Sequence, residues 1–389
     1  PWQAYARFAA RHGLPRPGPA SNSWALDGTR TVDGEPLLAN DPHLAPSTPV
    51  IFYEQELKAP DLHVAGLTIP GVPLVLIGHN EHLAWGLTTV MADTQDIYLE
   101  RVTADGEAVV RPGDGREPIV ERPLWIPVKG RSRPEPMTLR RTSNGVVLNH
   151  LLGLDLDTGF EPPRLDLPYL VTLRWNTEVP DTAATGLLRL NRATTIAEAR
   201  DAARLFLHAS QNFVFAHRDG AIAWQVSGAI PRRPGGPGPV PRAGWEPDSG
   251  WTGYLPRARN PGVESPHPGY IATANSRTLE PDHPAQVTRT WMPPYRTQRI
   301  HELLGTRERW DRAGTLAMQM DLMSQEARVL LLGLGREAET LRTDFPDAWP
   351  VARDLLDWDG EMAPDSRQAA VFVALKGALY EALFGDELG

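Results

Sequence analysis

The chain has 389 residues, a formal net charge of −9 and 41% hydrophobic residues, enough apolar content for one large domain or two ordinary ones. It has no cysteine, which excludes disulfides, cysteine metal sites and a thiol nucleophile. Mild acidity without a basic, aromatic-interleaved patch argues against nucleic acid as a partner, and no run of about 20 apolar residues is present to span a membrane.

Residues 2–12 read as a short helix, ended by the breaker-rich segment Gly13-Leu14-Pro15-Arg16-Pro17-Gly18-Pro19. Such an exposed stretch suits a place where a chain is cut. The start, Pro1-Trp2-Gln3, has neither an initiator methionine nor a signal peptide, so the sequence is expected to begin inside a longer chain. From Ser21 to about Ile230 the pattern favours strands and turns. Residues 73–78 form a short apolar run, as in a buried strand, and 103–150 reads as a strand-rich insertion. Residues 212–218 and 221–226 flank Asp219-Gly220, the turn that closes a two-residue hairpin. Residues 231–262, rich in Pro and Gly, read as a long ordered loop. The region 313–389 turns helical, with apolar residues at helical spacing over 316–341 and again over 367–384. Strands in layers with helices outside predict an α+β sandwich. Lysine stands only at 58, 129 and 376; the arginine bias suits rigid ion pairs, although a GC-rich coding genome accounts for it better.

Ser21 is read as an N-terminus still hidden inside the chain. A serine released as first residue carries a hydroxyl nucleophile and an α-amine with a pKa of about 7.7–8.0. That amine serves as general base near neutral pH without a histidine or an aspartate. On this reading the Ala20–Ser21 bond must break, and the small side chain of Ala20 leaves that possible.

Five separated blocks carry a resemblance to a known family. They are Ser21-Asn22-Ser23-Trp24; the run from Leu37 through Asn40-Asp41-Pro42-His43 to Leu44; Gly78-His79-Asn80 with Ala84-Trp85-Gly86; Gly269-Tyr270-Ile271-Ala272-Thr273-Ala274-Asn275; and Pro293-Pro294-Tyr295-Arg296-Thr297-Gln298-Arg299-Ile300. In this order the chain resembles the penicillin acylase family of N-terminal nucleophile hydrolases. The resemblance implies a four-layer αββα sandwich and a precursor that cuts itself into an α chain, a spacer and a β chain. Residues 1–20 would be the spacer's tail and 21–389 the β chain, short at its C-terminal end, with the α chain absent and acting as partner.

The same resemblance implies two-step acyl transfer from a small acyl amide to Ser21, with no organic cofactor. The oxyanion donors would be the Asn275 side-chain amide and the Thr89 backbone N–H. His43 matches a residue that holds the α-amine, with a structural histidine as the other reading. Arg296 matches an arginine that tunes the amine and orients Asn275, with Arg299 as the other assignment. Asp93, Gln95 and Asp96 match a structural calcium loop, whose further ligands would come from the Pro-rich loop, the α chain and a later aspartate. Asp282 is the candidate for that aspartate, in a neighbourhood where Val287 and Thr290 stand. Leu44, Ile77 and Leu87 match an acyl pocket and are all apolar. The family implies a periplasmic or secreted enzyme acting on penicillin-type amides or on acyl-homoserine lactones.

Two other classes compete. Pro247-Asp248-Ser249-Gly250-Trp251 faintly resembles the serine loop of a conventional hydrolase, though no Gly-x-Ser-x-Gly elbow exists. An inactive fragment or binding protein is the non-enzyme reading. His79-Asn80-Glu81-His82 lacks the spacing of a zinc hydrolase helix.

Overall fold

A computed structural model describes residues 20–44, 47–149, 169–280 and 283–388. The helix expected at 2–12, the breaker segment after it and Asp282 lie outside the described residues.

Ala20–Leu26 is the middle strand of a three-stranded antiparallel sheet, between Tyr270–Thr273 and Leu37–His43. Side chains alternate across a strand, and here the alternation separates two cores. Trp24 and Leu26 pack on one face with Ile300, Leu304, Trp310 and Met318, drawn from the helices Tyr295–Gly305 and Arg312–Gln319 and the residues between them. Ala25 points the other way and joins Val214, Ile222, Val226 and Ile271, so this face packs on a second sheet.

That second sheet has seven strands, in the order Gly262–Glu264, Ile222–Val226, Gln211–His217, Leu83–Thr89, Ile77–Asn80, Leu62–Thr68 and Tyr53–Ala59. Its far face carries Trp85, Phe213 and Phe215 against Leu187, Leu190, Ala199 and Ala203, of the helices Ala183–Arg192 and Ile196–Ala203. Each aromatic side chain fully buried there contributes about 1.5–3 kcal/mol. The molecule is therefore α+β, as expected. A six-stranded sheet, order Val120–Ile126, Glu135–Thr142, Gly145–Val147, Tyr169–Trp175, Gln95–Arg101 and Arg242–Ala243, holds much of the region 103–149.

Polar side chains stitch the two stacked sheets. Asn40 donates to the carbonyls of Asn22 and Leu87, both at 2.9 Å, and accepts from the Leu87 N–H at 3.2 Å. Gly86 permits this approach: a Cβ there would lie 2.8 Å from Asn40 Cβ and 3.0 Å from Ser23 Oγ. Behind it, Trp224 donates to Asn212, Asn212 to Thr88 and Thr88 to Thr273, at 2.9, 3.1 and 3.0 Å.

Four sequence expectations change. The hairpin loop has three residues, because the His217 N–H bonds Ala221 O at 2.8 Å and Gly220 takes φ 100°; a type I turn followed by a left-handed glycine closes it. The run 73–78 becomes a strand only at Ile77. Val75 before it is buried, yet its N–H and C=O both bond the Asn191 side chain, at 2.9 and 2.7 Å. The two helices over 183–203 interrupt the stretch expected to be strands. The helical stretch 316–341 divides into Arg312–Gln319, Gln325–Arg336 and Ala338–Asp344. Ser324 starts the second of these by accepting from the Ala327 N–H at 3.1 Å, as an N-cap does. The last helix, Arg367–Leu388, covers the expected 367–384.

Candidate active site

Ser21 sits near the start of the middle strand and is 8% exposed. Its hydroxyl donates to the carbonyl of Ala20 at 2.6 Å, beside the Ala20–Ser21 bond that is expected from the sequence to be cut. Its backbone N–H donates to Asn275 Oδ1 at 2.8 Å. The strand pairing that puts Ser23 opposite Thr273 brings Asn275, two residues further on, to this position.

The Asn275 side chain is the centre of the cluster. Oδ1 also accepts from Arg296 Nη2 at 3.0 Å, and Nδ2 donates to Thr89 O at 2.8 Å. An arginine donates only and a carbonyl accepts only, so these two partners fix which end of the amide is oxygen. The backbone of Asn275 takes φ 64°, a left-handed conformation that asparagine tolerates better than most residues. One hydrogen of Nδ2 remains after the bond to Thr89.

Arg296 projects from the first turn of the helix Tyr295–Gly305. Its Nη1 donates to Ser21 O at 2.8 Å and Asn22 Oδ1 at 2.7 Å. No carboxylate makes a salt bridge with it among the described residues, so carbonyl and amide oxygens balance its charge. Burial pulls its pKa below the ordinary arginine value, with nearby Asp41 opposing that pull. Arg299, the other assignment, points away and pairs with Asp321 at 2.7 Å and Glu302 at 3.0 Å.

His43 stands opposite Ala20 in the strand register. Its Nε2 lies 3.1 Å from Asp41 Oδ2 and 3.5 Å from Asn22 Nδ2, and its imidazole makes no hydrogen bond to Ser21. Asn22, Asp41, His43, Arg296, Arg299 and Asp321 share the lining of a cavity of about 590 Å³. Asn22 and Asn40 are members of the candidate site that the sequence did not single out. The signal for both lay inside the motif blocks that contain Ser21 and His43, since each fixes a neighbour of the nucleophile.

Of the three acyl-pocket residues, Ile77 and Leu87 are buried in the same cluster beneath the helices Ala183–Arg192 and Ile196–Ala203. Leu44 lies outside that cluster and is 39% exposed. Ser249 follows Asp248, whose φ is 60°, and makes no hydrogen bond to a histidine among the described residues. In the 79–82 segment, Asn80 is an anchor: it donates to the Ala193 carbonyl at 2.8 Å and accepts from the His82 and Leu83 N–H groups at 2.8 and 2.9 Å.

In the segment expected to hold calcium, the carboxylate oxygens already have protein partners. Asp96 Oδ2 accepts from Arg233 Nε at 2.7 Å and from the Trp251 indole N–H. Asp93 Oδ2 accepts from the Gly238 N–H at 3.1 Å, and its pKa is raised, first by burial. The Gln95 side chain is exposed. Among the described residues no group of three His, Cys, Asp or Glu converges, and the residue set against Asp93 is the apolar Val287, whose carbonyl accepts the Asp93 N–H at 2.9 Å. A cation that takes six to eight oxygens does not fit a set in which a guanidinium already holds the Asp96 carboxylate and the Asp93 carbonyl.

A family model described as Penicillin amidase matches residues 3–389. Acyl-homoserine lactone acylase QuiP of Pseudomonas aeruginosa is 33% identical over 381 residues, 95% of this chain and 45% of the relative. Penicillin acylase 2 proenzyme of Pseudomonas sp. (strain SE83) is 31% identical over 363 residues, 93% of this chain and 45% of the relative. The chain thus spans about half the length of the curated relatives it matches. A solved structure of thermostable penicillin G acylase from Alcaligenes faecalis superposes with a TM-score of 0.71 at 23% identity, covering 89% of this chain and 60% of that one, a likeness of fold.

Proposed function

The chain belongs to the penicillin amidase family, and from that premise we propose that it carries the nucleophile half of an amidohydrolase that matures by cutting Ala20–Ser21. The observation that carries this reading is the Ser21–Asn275–Arg296–Thr89 cluster, assembled from strands and a helix up to 275 residues apart. The stacked sheets with helices on both outer faces are read as the four-layer αββα sandwich of N-terminal nucleophile hydrolases, with the α chain of the same precursor as partner. Residues 1–20 are read as spacer. A periplasmic or secreted location is part of the same proposal, supported by family membership; among the described residues no helix is long and apolar enough to cross a membrane.

In maturation, Ser21 Oγ attacks the Ala20 carbonyl carbon, the C–N bond breaks with proton transfer to nitrogen, and water hydrolyses the resulting ester. The freed α-amine then takes the Ser21 hydroxyl proton as that oxygen attacks a substrate amide. The oxyanion is received by the remaining Nδ2 hydrogen of Asn275 and the Thr89 N–H. The amine product leaves with the proton, and water releases the acyl group. Arg296, a fixed positive charge beside the amine, lowers the amine's pKa and keeps it a free base near neutral pH. His43 Nε2 lies between the Asp41 carboxylate and the Asn22 amide, and the oxygen of that amide accepts from Arg296. Leu44, Ile77 and Leu87 are assigned to an apolar acyl pocket.

Two substrate classes stand within this reaction. Six relatives at 30–33% identity carry the name acyl-homoserine lactone acylase, against 31% and 26% for two penicillin acylases. That balance favours an N-acyl-homoserine lactone over a penicillin. The test is the complete gene product: intact mass showing a chain that begins at Ser21, then turnover of both amide classes, with Ser21→Ala as control. An uncut but active protein, or a cut protein inert on every amide, refutes the reading.

A further inference from the structure

The segment from Thr89 to Gln95 leads from the seven-stranded to the six-stranded sheet, and it lies where the oxyanion-binding amide is assigned. Its backbone is awkward: Met91 takes φ 59°, a left-handed conformation unfavourable to a side chain of its size. Three backbone bonds tie it down, Val90 N–H to Ser210 O at 3.3 Å, Asp93 N–H to Val287 O at 2.9 Å and Asn176 N–H to Thr94 O at 3.1 Å. Between Asp93 of this segment and Asp96 just beyond it lies Arg233, whose side chain is 1% exposed. The fork donates from Nε to Asp96 Oδ2 at 2.7 Å and from Nη2 to the Asp93 carbonyl at 3.0 Å, with Nη2 3.6 Å from Asp93 Oδ1. The guanidinium carbon lies 5.1 Å from the centroid of the Trp251 ring, and the same ring's N–H donates to Asp96.

We propose that Arg233 is the built-in cation of this turn, and that the turn is held without a divalent metal. A planar fork can touch a carboxylate and a main-chain carbonyl together, which matches the two oxygens presented here. The Arg233 side chain is supplied by the Pro/Gly-rich loop, and Trp251 of that loop covers its face, so the cation arrives with the chain itself. A calcium ion in the same space would have to displace a guanidinium already bonded to Asp96, and beside Asp93 it would find Val287, 1% exposed in an apolar cluster.

The experiment uses the protein expressed from its complete gene, and its readouts are metal content and thermal unfolding, which need no substrate; absence of turnover would therefore leave this inference standing. Expected are no stoichiometric calcium after purification and a melting temperature that changes by less than about 1 °C between chelator and millimolar calcium chloride. Arg233→Met leaves two carboxylates facing each other without their cation and lowers the melting temperature by roughly 5–10 °C, of which calcium restores about half. Stoichiometric bound calcium, a wild-type melting temperature that falls by several degrees with chelator and recovers with calcium, or an Arg233→Met protein that melts like wild type overturns the proposal. Should Arg233→Met not fold, the wild-type chelation experiment decides alone, and Arg233→Lys, which keeps the charge but loses the fork, is expected to lie between wild type and unfolded.

Discussion

Asn275→Asp separates positioning from donation at the candidate site. Aspartate keeps the shape, tolerates φ 64° and still accepts from Ser21 N and Arg296 Nη2. It gains an ion pair with Arg296 and loses the Nδ2 donor, setting a carboxylate oxygen against Thr89 O where a hydrogen bond stood. The lost bond costs about 1–3 kcal/mol and the charge-assisted bond returns a similar amount, so stability should change by no more than about 2 kcal/mol. Loss of one oxyanion donor removes about 2.7–4 kcal/mol of transition-state stabilisation, or about 10²–10³ in kcat. Asn275→Ala removes all three bonds and adds about 1–2 kcal/mol of left-handed strain, roughly 4 kcal/mol of stability in total. Asn275→Gly spares the strain alone. The assay is intact mass for the processed fraction, then kcat on that fraction with an acyl amide, beside thermal unfolding of each variant. A processed Asn275→Asp protein that keeps kcat within about threefold of wild type would refute the donor role.

Removing the positive charge of Arg296 by Arg296→Leu should raise the α-amine pKa, so the acidic limb of the kcat/KM profile shifts to higher pH; an unmoved limb in processed protein denies the tuning role. Gly86→Ala should cost about 1–3 kcal/mol by forcing a Cβ against Asn40 and Ser23, read as a lower melting temperature. On the surface, the Glu56 carboxylate bonds His63 at 2.7 Å and raises the imidazole pKa, with Glu81 adding at 3.3 Å. The folded state therefore binds this proton more tightly. The stability it contributes is complete below the unfolded value near 6.5 and fades as pH rises through the folded pKa. An NMR titration of His63 should show a midpoint above 6.5 that falls back in Glu56→Gln; equal midpoints in the two proteins count against this reading.

The helix pair over 183–203 shows why part of the fold escaped the sequence reading. Thr195 to Glu198 spells a capping box, and Thr195 does accept from the Glu198 N–H, at 3.2 Å. Its buried face, however, is largely alanine, at 199, 202 and 203, which gives a weak hydrophobic period. The three-residue hairpin loop was misjudged by one residue, because Asp219-Gly220 serves either turn and only the pairing of His217 with Ala221 decides. The candidate site was more legible, since Ser21, Asn275 and Arg296 each lie in a block whose spacing is local. The separation of Leu44 from Ile77 and Leu87 was not, because side-chain direction at a strand end depends on what packs beside it.

The residue types of the candidate site could be read from the chain alone: a serine after a breaker-rich stretch, an asparagine able to hold φ 64°, an arginine at a helix start, a glycine where two sheets approach. These are short-range properties of the chain. It took the folded arrangement to show that Arg296 and not Arg299 reaches Ser21, and that Arg233 stands between Asp93 and Asp96. The partners in those contacts are separated by 137 to 275 residues where they cross the fold, and a charge on a long side chain finds its partner only when the sheets have set the distances.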